Sequence, residues 1–356
     1  MMRERMSVIA AATSNAASAH SKIIRIISPL MTSDVDVMPY QLVNAALMRQ
    51  DMNLDDSMME SWSAPDGWPL RRIQIAAEGT RRGSLLFLGG RADHIEKYDE
   101  ALTGWAAQGW DVESVDWRGQ GGSARLIAGS ALGHADDFAD WLEDIEVYGR
   151  DWRARTQGPH VIVAHSMGGH LVLRALAEAR LSADAVALSA PMLGIHTGVL
   201  PHCFAVRITT AACALGAERK AVWPSHRRTP GVKDVIQTSL THSKVRFERE
   251  AQFELDRPDI VLDAPTWGWL RAAYRSLAAI DLPGYLERVA TPLLILASKG
   301  DKVVSTQAIV RMTERLPDAR LHLYGTNVAH EILREVDAVR DDALLRIDQF
   351  FAERAP

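Results

Sequence analysis

The stretch His160-Val161-Ile162-Val163-Ala164-His165-Ser166-Met167-Gly168-Gly169-His170 constrains this chain more than any other. A run of strand-forming apolar residues stops at a serine with small residues around it. A helical pattern then starts at once, with Leu171, Val172, Leu173, Ala175 and Leu176. To lift a serine hydroxyl off the end of a sheet, the backbone must turn within about one residue, with positive φ at the serine. Side chains two positions before and after it would collide, so both must be small. Ala164 and Gly168 meet that demand, giving A-x-S-x-G where the stricter pattern is G-x-S-x-G.

The chain around this turn alternates strands and helices. Ser84 to Leu88, Asp111 to Asp116, Asp184 to Ser189, Pro292 to Ala297 and Arg320 to Tyr324 read as strands. Tyr98 to Gln108, Ala135 to Ala154, Thr306 to Leu316 and Asp341 to Phe351 read as helices. Such alternation implies βαβ units and a mostly parallel sheet, and continuous apolar strands fit a sheet covered by helices on both faces. Asp66-Gly67 between Ser61 and Arg71 predicts an antiparallel hairpin at the edge. The expected organisation is an N-terminal extension (1–57), a first part of an α/β core (58–191), a helical insertion (192–286) and the rest of the core (287–356). The insertion's mixed charges predict a solvated face. Trp267, Trp269 and Leu270 are either core or the apolar underside of a lid that receives an acyl chain.

Of 356 residues, 47% are hydrophobic and the net charge is -5, which gives no reason to expect a nucleic-acid partner. No apolar run reaches the roughly 18 residues of a membrane span. Cys203 and Cys213 lie in an apolar segment and are expected to be buried, and no metal-ligand spacing occurs. No metal or cofactor is expected. Residues 1–19 carry an export-like pattern, basic Met1 to Arg5 and then apolar Met6 to Ala12, but polar residues soon interrupt it. A cytoplasmic location is the expectation and export the alternative. Met31 is a plausible alternative start.

A serine hydroxyl needs a base, and the base needs an acid to orient it. Asp301 follows one late strand and His330 the last, so in a parallel sheet both loops emerge at the same edge as Ser166. His165 and His170 adjoin the nucleophile but are expected to be structural, and Asp281 is a poorer acid because it precedes its strand. An oxyanion needs two N–H donors. Met167, at the helix start, is the first, and Arg91 in Gly89-Gly90-Arg91 the second, with Gly90 allowing close approach.

Four blocks together resemble the α/β-hydrolase superfamily, in particular its lysophospholipase, monoacylglycerol-lipase and serine aminopeptidase-like group. They are Gly89 to Tyr98, Asp116-Trp117-Arg118-Gly119-Gln120-Gly121-Gly122-Ser123, Ala164 to Gly169, and Asp301 to Val304 with His330 to Glu335. The resemblance covers about residues 58–350. It implies a carboxylic ester hydrolase with Ser166, Asp301 and His330 as triad and a lipid ester as substrate. Gly90, Trp267 and Trp269 are the candidate substrate contacts, and a transient membrane-surface contact is possible. It also implies structural hydrogen bonding by His94, Arg118 and His134. Gly89 stands where the family usually has His. The rival readings are an iminopeptidase-type enzyme, with Glu248, Glu250, Glu254 and Asp256 to hold an amine, and a non-catalytic binding protein on the same scaffold.

Overall fold

The computed structural model describes Leu54 and residues 56–198, 202–223 and 232–356. The expectations for the N-terminal extension, including its export pattern and alternative start, fall almost wholly outside these residues. Eight strands form one sheet in the order β1-β2-β4-β3-β5-β6-β7-β8. β1 (Met59–Ser63) and β2 (Pro69–Ile75) form the hairpin, with Trp62 opposite Leu70 and Gly67 in the turn at φ 83°. β2 runs antiparallel to β4 (Trp110–Val115), and every later pairing is parallel.

β3 (Gly83–Leu88), β5 (His160–His165), β6 (Ala185–Ser189) and β7 (Leu293–Ser298) are buried at every position. That is why they read as continuous apolar runs, since helices cover both faces. β8 (Ala319–Tyr324) closes the far edge and is only partly covered. α1 (Asp99–Ala107), α2 (Ala139–Arg155), α3 (Ser166–Ala177) and the later core helices α8 (Thr306–Thr313) and α9 (Asp337–Arg354) cover the sheet. α9 begins four residues before the sequence pattern suggests.

Between β6 and β7 lie α4 (His202–Ala214), α5 (Val232–Leu240), α6 (Lys244–Asp256) and α7 (Trp267–Ile280). α7 is capped by Thr266, whose Oγ1 accepts the Trp269 N–H. Its buried face carries Trp269, Ala272, Ala273, Leu277 and Ile280, which adds the segment to the main core. Two expectations fail here. Cys213 is buried, but Cys203 is exposed in the first turn of α4. The insertion's charges are not simply a solvated face: Arg246 and Arg249 of α6 reach Glu100, Asp99 and Asp337, and Glu250 packs against Lys97 and Arg334. Sequence spacing marks charge, but not the partners that the fold brings to it. Among the described residues no helix is long and apolar enough to cross a membrane.

Candidate active site

Ser166 follows the last residue of β5 and opens α3, with φ 51°. The small residues around it have measurable causes. A Cβ on Gly168 would lie 2.3 Å from the Gly89 carbonyl oxygen and 2.6 Å from that of Leu88. One on Gly169 would lie 2.9 Å from the Pro191 side chain, and one on Gly90 2.9 Å from the Cβ of Ser166. α3 is therefore pressed against the end of β3 and its loop, and only glycine allows the approach.

The parallel sheet delivers the other two groups to the same edge. Ser166 Oγ donates to His330 Nε2 at 2.9 Å, and His330 Nδ1 donates to Asp301 Oδ2 at 2.7 Å. Asp301 Oδ1 accepts the N–H groups of Val303 (2.7 Å) and Val304 (2.9 Å). Burial alone would push the Asp301 carboxyl up, but the His330 ring and those N–H groups bring it below its ordinary value. Burial would likewise lower the His330 imidazolium, yet Asp301 outweighs burial and holds it above 6.5. The His330 segment is tied to the insertion through its backbone: the N–H of His330 donates to Ser239 O (3.4 Å) and that of Glu331 to Leu240 O (2.7 Å).

The block at 116–123 braces the loop after β3. Trp117 Nε1 donates to Gly89 O (2.7 Å), Gln120 Oε1 accepts the Ala92 N–H (2.7 Å), and Asp116 Oδ1 accepts the Ile95 N–H (3.1 Å). Met167 is the second residue of α3, where an N–H has no intrahelical acceptor. The Gly90 N–H is committed to Asp93 Oδ2 at 2.6 Å, so the next donor along the loop is Arg91. The Arg91 side chain lies over Trp269, 5.5 Å from the ring centroid, and donates to Asp263 O.

A cavity of about 620 Å³ opens over Ser166 and His330. Met192, Ile195, Ile208, Trp267, Trp269 and Leu270 give it a mainly apolar wall. Its size lies in the usual range for small-molecule sites. Trp267 and Trp269, the candidate substrate contacts, both line this cavity. Gly90 does not line the cavity: it sits beneath Ser166 as a spacer, which corrects its expected contact with substrate.

His165, His170 and His134 are held as structural groups. His165 Nδ1 lies 2.9 Å from both Asp93 Oδ2 and Tyr98 Oη. His170 Nε2 lies 2.6 Å from Ser276 Oγ on α7, and burial pushes its pKa down to about 3. His134 Nδ1 lies 2.8 Å from Thr266 Oγ1, and Arg118 pairs with Asp144 and Asp66. Asp281 is taken up by Arg311 and Arg315.

Sequence reasoning missed the buried charges beside the triad. Lys97 Nζ lies 2.8 Å from Asp93, 3.2 Å from Glu250 and 2.6 Å from Glu331. Arg334 joins Glu250 and Glu331. The one available signal was the density of charged residues in the two blocks 93–97 and 331–335.

The family described as "serine aminopeptidase, S33" matches residues 79–337. Lysophospholipase L2 of Escherichia coli strain K12 is 33% identical over 296 residues, covering 80% of this chain and 85% of that protein. The probable lysophospholipase L2 of Haemophilus influenzae is 27% identical over 281 residues, covering 78% of this chain and 87% of that one. A soluble variant of monoglyceride lipase from Saccharomyces cerevisiae, solved with a substrate analog, shares the fold with a TM-score of 0.68 at 15% identity, covering 86% of this chain and 98% of that chain. With its sheet order, its serine turn and a match over most of its length, the chain belongs to the serine aminopeptidase S33 family of α/β-hydrolases.

Proposed function

We propose that this protein hydrolyses carboxylic esters of lipids, of the lysophospholipid or monoacylglycerol type. The hydrogen-bonded line from Ser166 Oγ through His330 to Asp301, opening into an apolar cavity, carries the reading. Ser166 attacks the ester carbonyl while His330 Nε2 takes its proton. Met167 and Arg91 N–H groups hold the oxyanion. His330 then protonates the leaving alcohol, and the acyl group stays on Ser166. Water, deprotonated by the same imidazole, releases the fatty acid and restores the serine. Asp301 keeps the ring in the tautomer that presents a lone pair to Ser166 and stabilises the imidazolium.

The acyl chain is assigned to the cavity beneath α4 and α7, which together act as a lid. α4 exposes Phe204 and Ile208, with Leu215 and Trp223 exposed just beyond it. These large apolar groups support contact with the lipid aggregate that holds the substrate. The names of the lysophospholipase L2 relatives support the substrate class.

The aminopeptidase reading needs a carboxylate that can take a substrate amine. The acids lining the cavity are Asp93, Glu250, Glu331, and each is within ion-pair distance of Lys97. Glu248 and Asp256 are exposed on α6. A hydrolysis panel of short esters, monoacylglycerols, lysophospholipids and aminoacyl-anilides tests the proposal. Turnover of the lipid esters, lost in Ser166→Ala together with fluorophosphonate labelling, is expected. Preference for the anilides, or no labelling of the native protein, would overturn it.

A further inference from the structure

Beside the catalytic centre, and sharing with its cavity only Glu250, lies a second cluster. A ring nitrogen of His94 and one carboxylate oxygen each from Glu250 and Glu254 lie within 4.8 Å of one another. The two glutamates are four residues apart on α6 and so share one face of it. His94 comes from the loop after β3. Neither His94 nor Glu254 lines the acyl cavity.

His94 is 3% exposed. Its Nδ1 faces Glu96 Oε2 at 3.1 Å, and Arg71 grips both oxygens of Glu96 at 2.6 and 2.9 Å. With both Glu96 oxygens already accepting from Arg71, His94 Nδ1 is placed to donate to that carboxylate, which leaves Nε2 as the ring nitrogen open to a ligand. Nε2 is buried and has no hydrogen-bond partner. A buried ring nitrogen without a partner, on a histidine clustered with two carboxylates, is a place an ion can fill. The outer shell of a metal-binding histidine is already built, since such a ring gives its second N–H to a fixed carboxylate.

We propose that His94, Glu250 and Glu254 form a binding site for a divalent transition-metal cation of the zinc type. One imidazole nitrogen and two carboxylate oxygens, with water in a fourth position, suit zinc better than calcium or magnesium, which take six or more oxygens. Zinc bonds of about 2.0–2.2 Å set tetrahedral ligand atoms about 3.3–3.6 Å apart, so rotation of the glutamate side chains closes the cluster on the ion. Bound there, the ion ties α6 to the loop that carries Arg91. The Phe253 ring, stacked on His94 with centroids 5.4 Å apart, screens the site.

The test uses the full chain stripped with a chelator and then titrated calorimetrically with zinc chloride or calcium chloride. One equivalent of zinc is expected to bind, with a melting temperature that rises with zinc concentration and no matching response to calcium. Cobalt(II) in its place is expected to show the visible bands of a four- or five-coordinate ion. Glu254→Gln, at a half-buried position near the end of α6, and His94→Gln should each weaken zinc binding by more than the roughly 10–100-fold typical of outer-shell losses. No saturable zinc uptake by the stripped protein, or uptake unchanged in both variants, would overturn the proposal. Fluorophosphonate labelling of Ser166 reads the catalytic proposal separately, so failure of one leaves the other standing.

Discussion

Asp301 Oδ2 lies 2.7 Å from His330 Nδ1, and the other oxygen of the same carboxylate is held by two backbone N–H groups. The acid is therefore fixed at both ends and raises the basicity of one ring. His330 must be neutral to accept the serine proton, so kcat/KM should rise with pH on a limb that titrates above 6.5. Asp301→Asn removes the charge that lifts that limb. Its midpoint should move down, and kcat should fall by about 10⁴ as the wrong tautomer is favoured. Ester hydrolysis from pH 5 to 9 for both proteins checks this, and an unmoved limb would count against the assignment.

Gly168→Ala should damage the fold as well as the activity. Its methyl would meet two backbone oxygens at 2.3 and 2.6 Å, and neither can rotate away. A cost of about 1–3 kcal/mol is expected, read as a lower urea midpoint, with a loss of turnover because the displaced backbone leads into Arg91. Ala164→Gly is the matched control. It restores the stricter motif and should change turnover only a few-fold.

Trp267→Ala should act on long substrates and spare short ones. It enlarges the apolar wall of the cavity without touching the triad. The kcat/KM ratio of dodecanoyl to acetyl p-nitrophenyl ester should fall about tenfold, the effect of losing about 1.4 kcal/mol of chain contact. An unchanged ratio would place the acyl chain elsewhere.

His170 sets a dependence of stability on acid. It is buried and neutral, with its pKa pushed down to about 3. Between pH 6.5 and 3 the unfolded chain takes up a proton that the folded chain refuses. This contribution to stability is thus whole above pH 6.5 and lost as pH falls, by up to about 1.4 kcal/mol per pH unit. The raised His330 has the opposite sign: its contribution is present below pH 6.5 and lost as pH rises through its folded pKa. Urea melts from pH 4.5 to 7.5 should show a shallower slope for His170→Asn than for the wild type.

The site was legible in the sequence where constraints are local. A strand that ends at Ser166, glycines that let α3 touch the β3 loop, and an acid and a histidine after successive strands all announce themselves within a few residues. The edge hairpin at Asp66-Gly67 and the buried parallel strands were legible for the same reason. The charge cluster was not. Lys97 and Glu331 are 234 residues apart, Arg334 and Glu250 84, and nothing in the spacing of a charge names its partner. Cys203 and Cys213 look alike in sequence, yet only packing decides which faces out. Gly90 was misjudged because a glycine that admits substrate and one that admits a neighbouring side chain carry the same letter.

The backbone hydrogen bonds from the His330 segment to Ser239 and Leu240 join the general base to α5, whose Leu240 lines the cavity. A displacement of α5 is therefore expected to be felt at the imidazole. On the proposed reading, a tail that seats badly is expected to slow proton transfer as well as loosen its own grip, so discrimination between chain lengths should show in kcat as much as in KM.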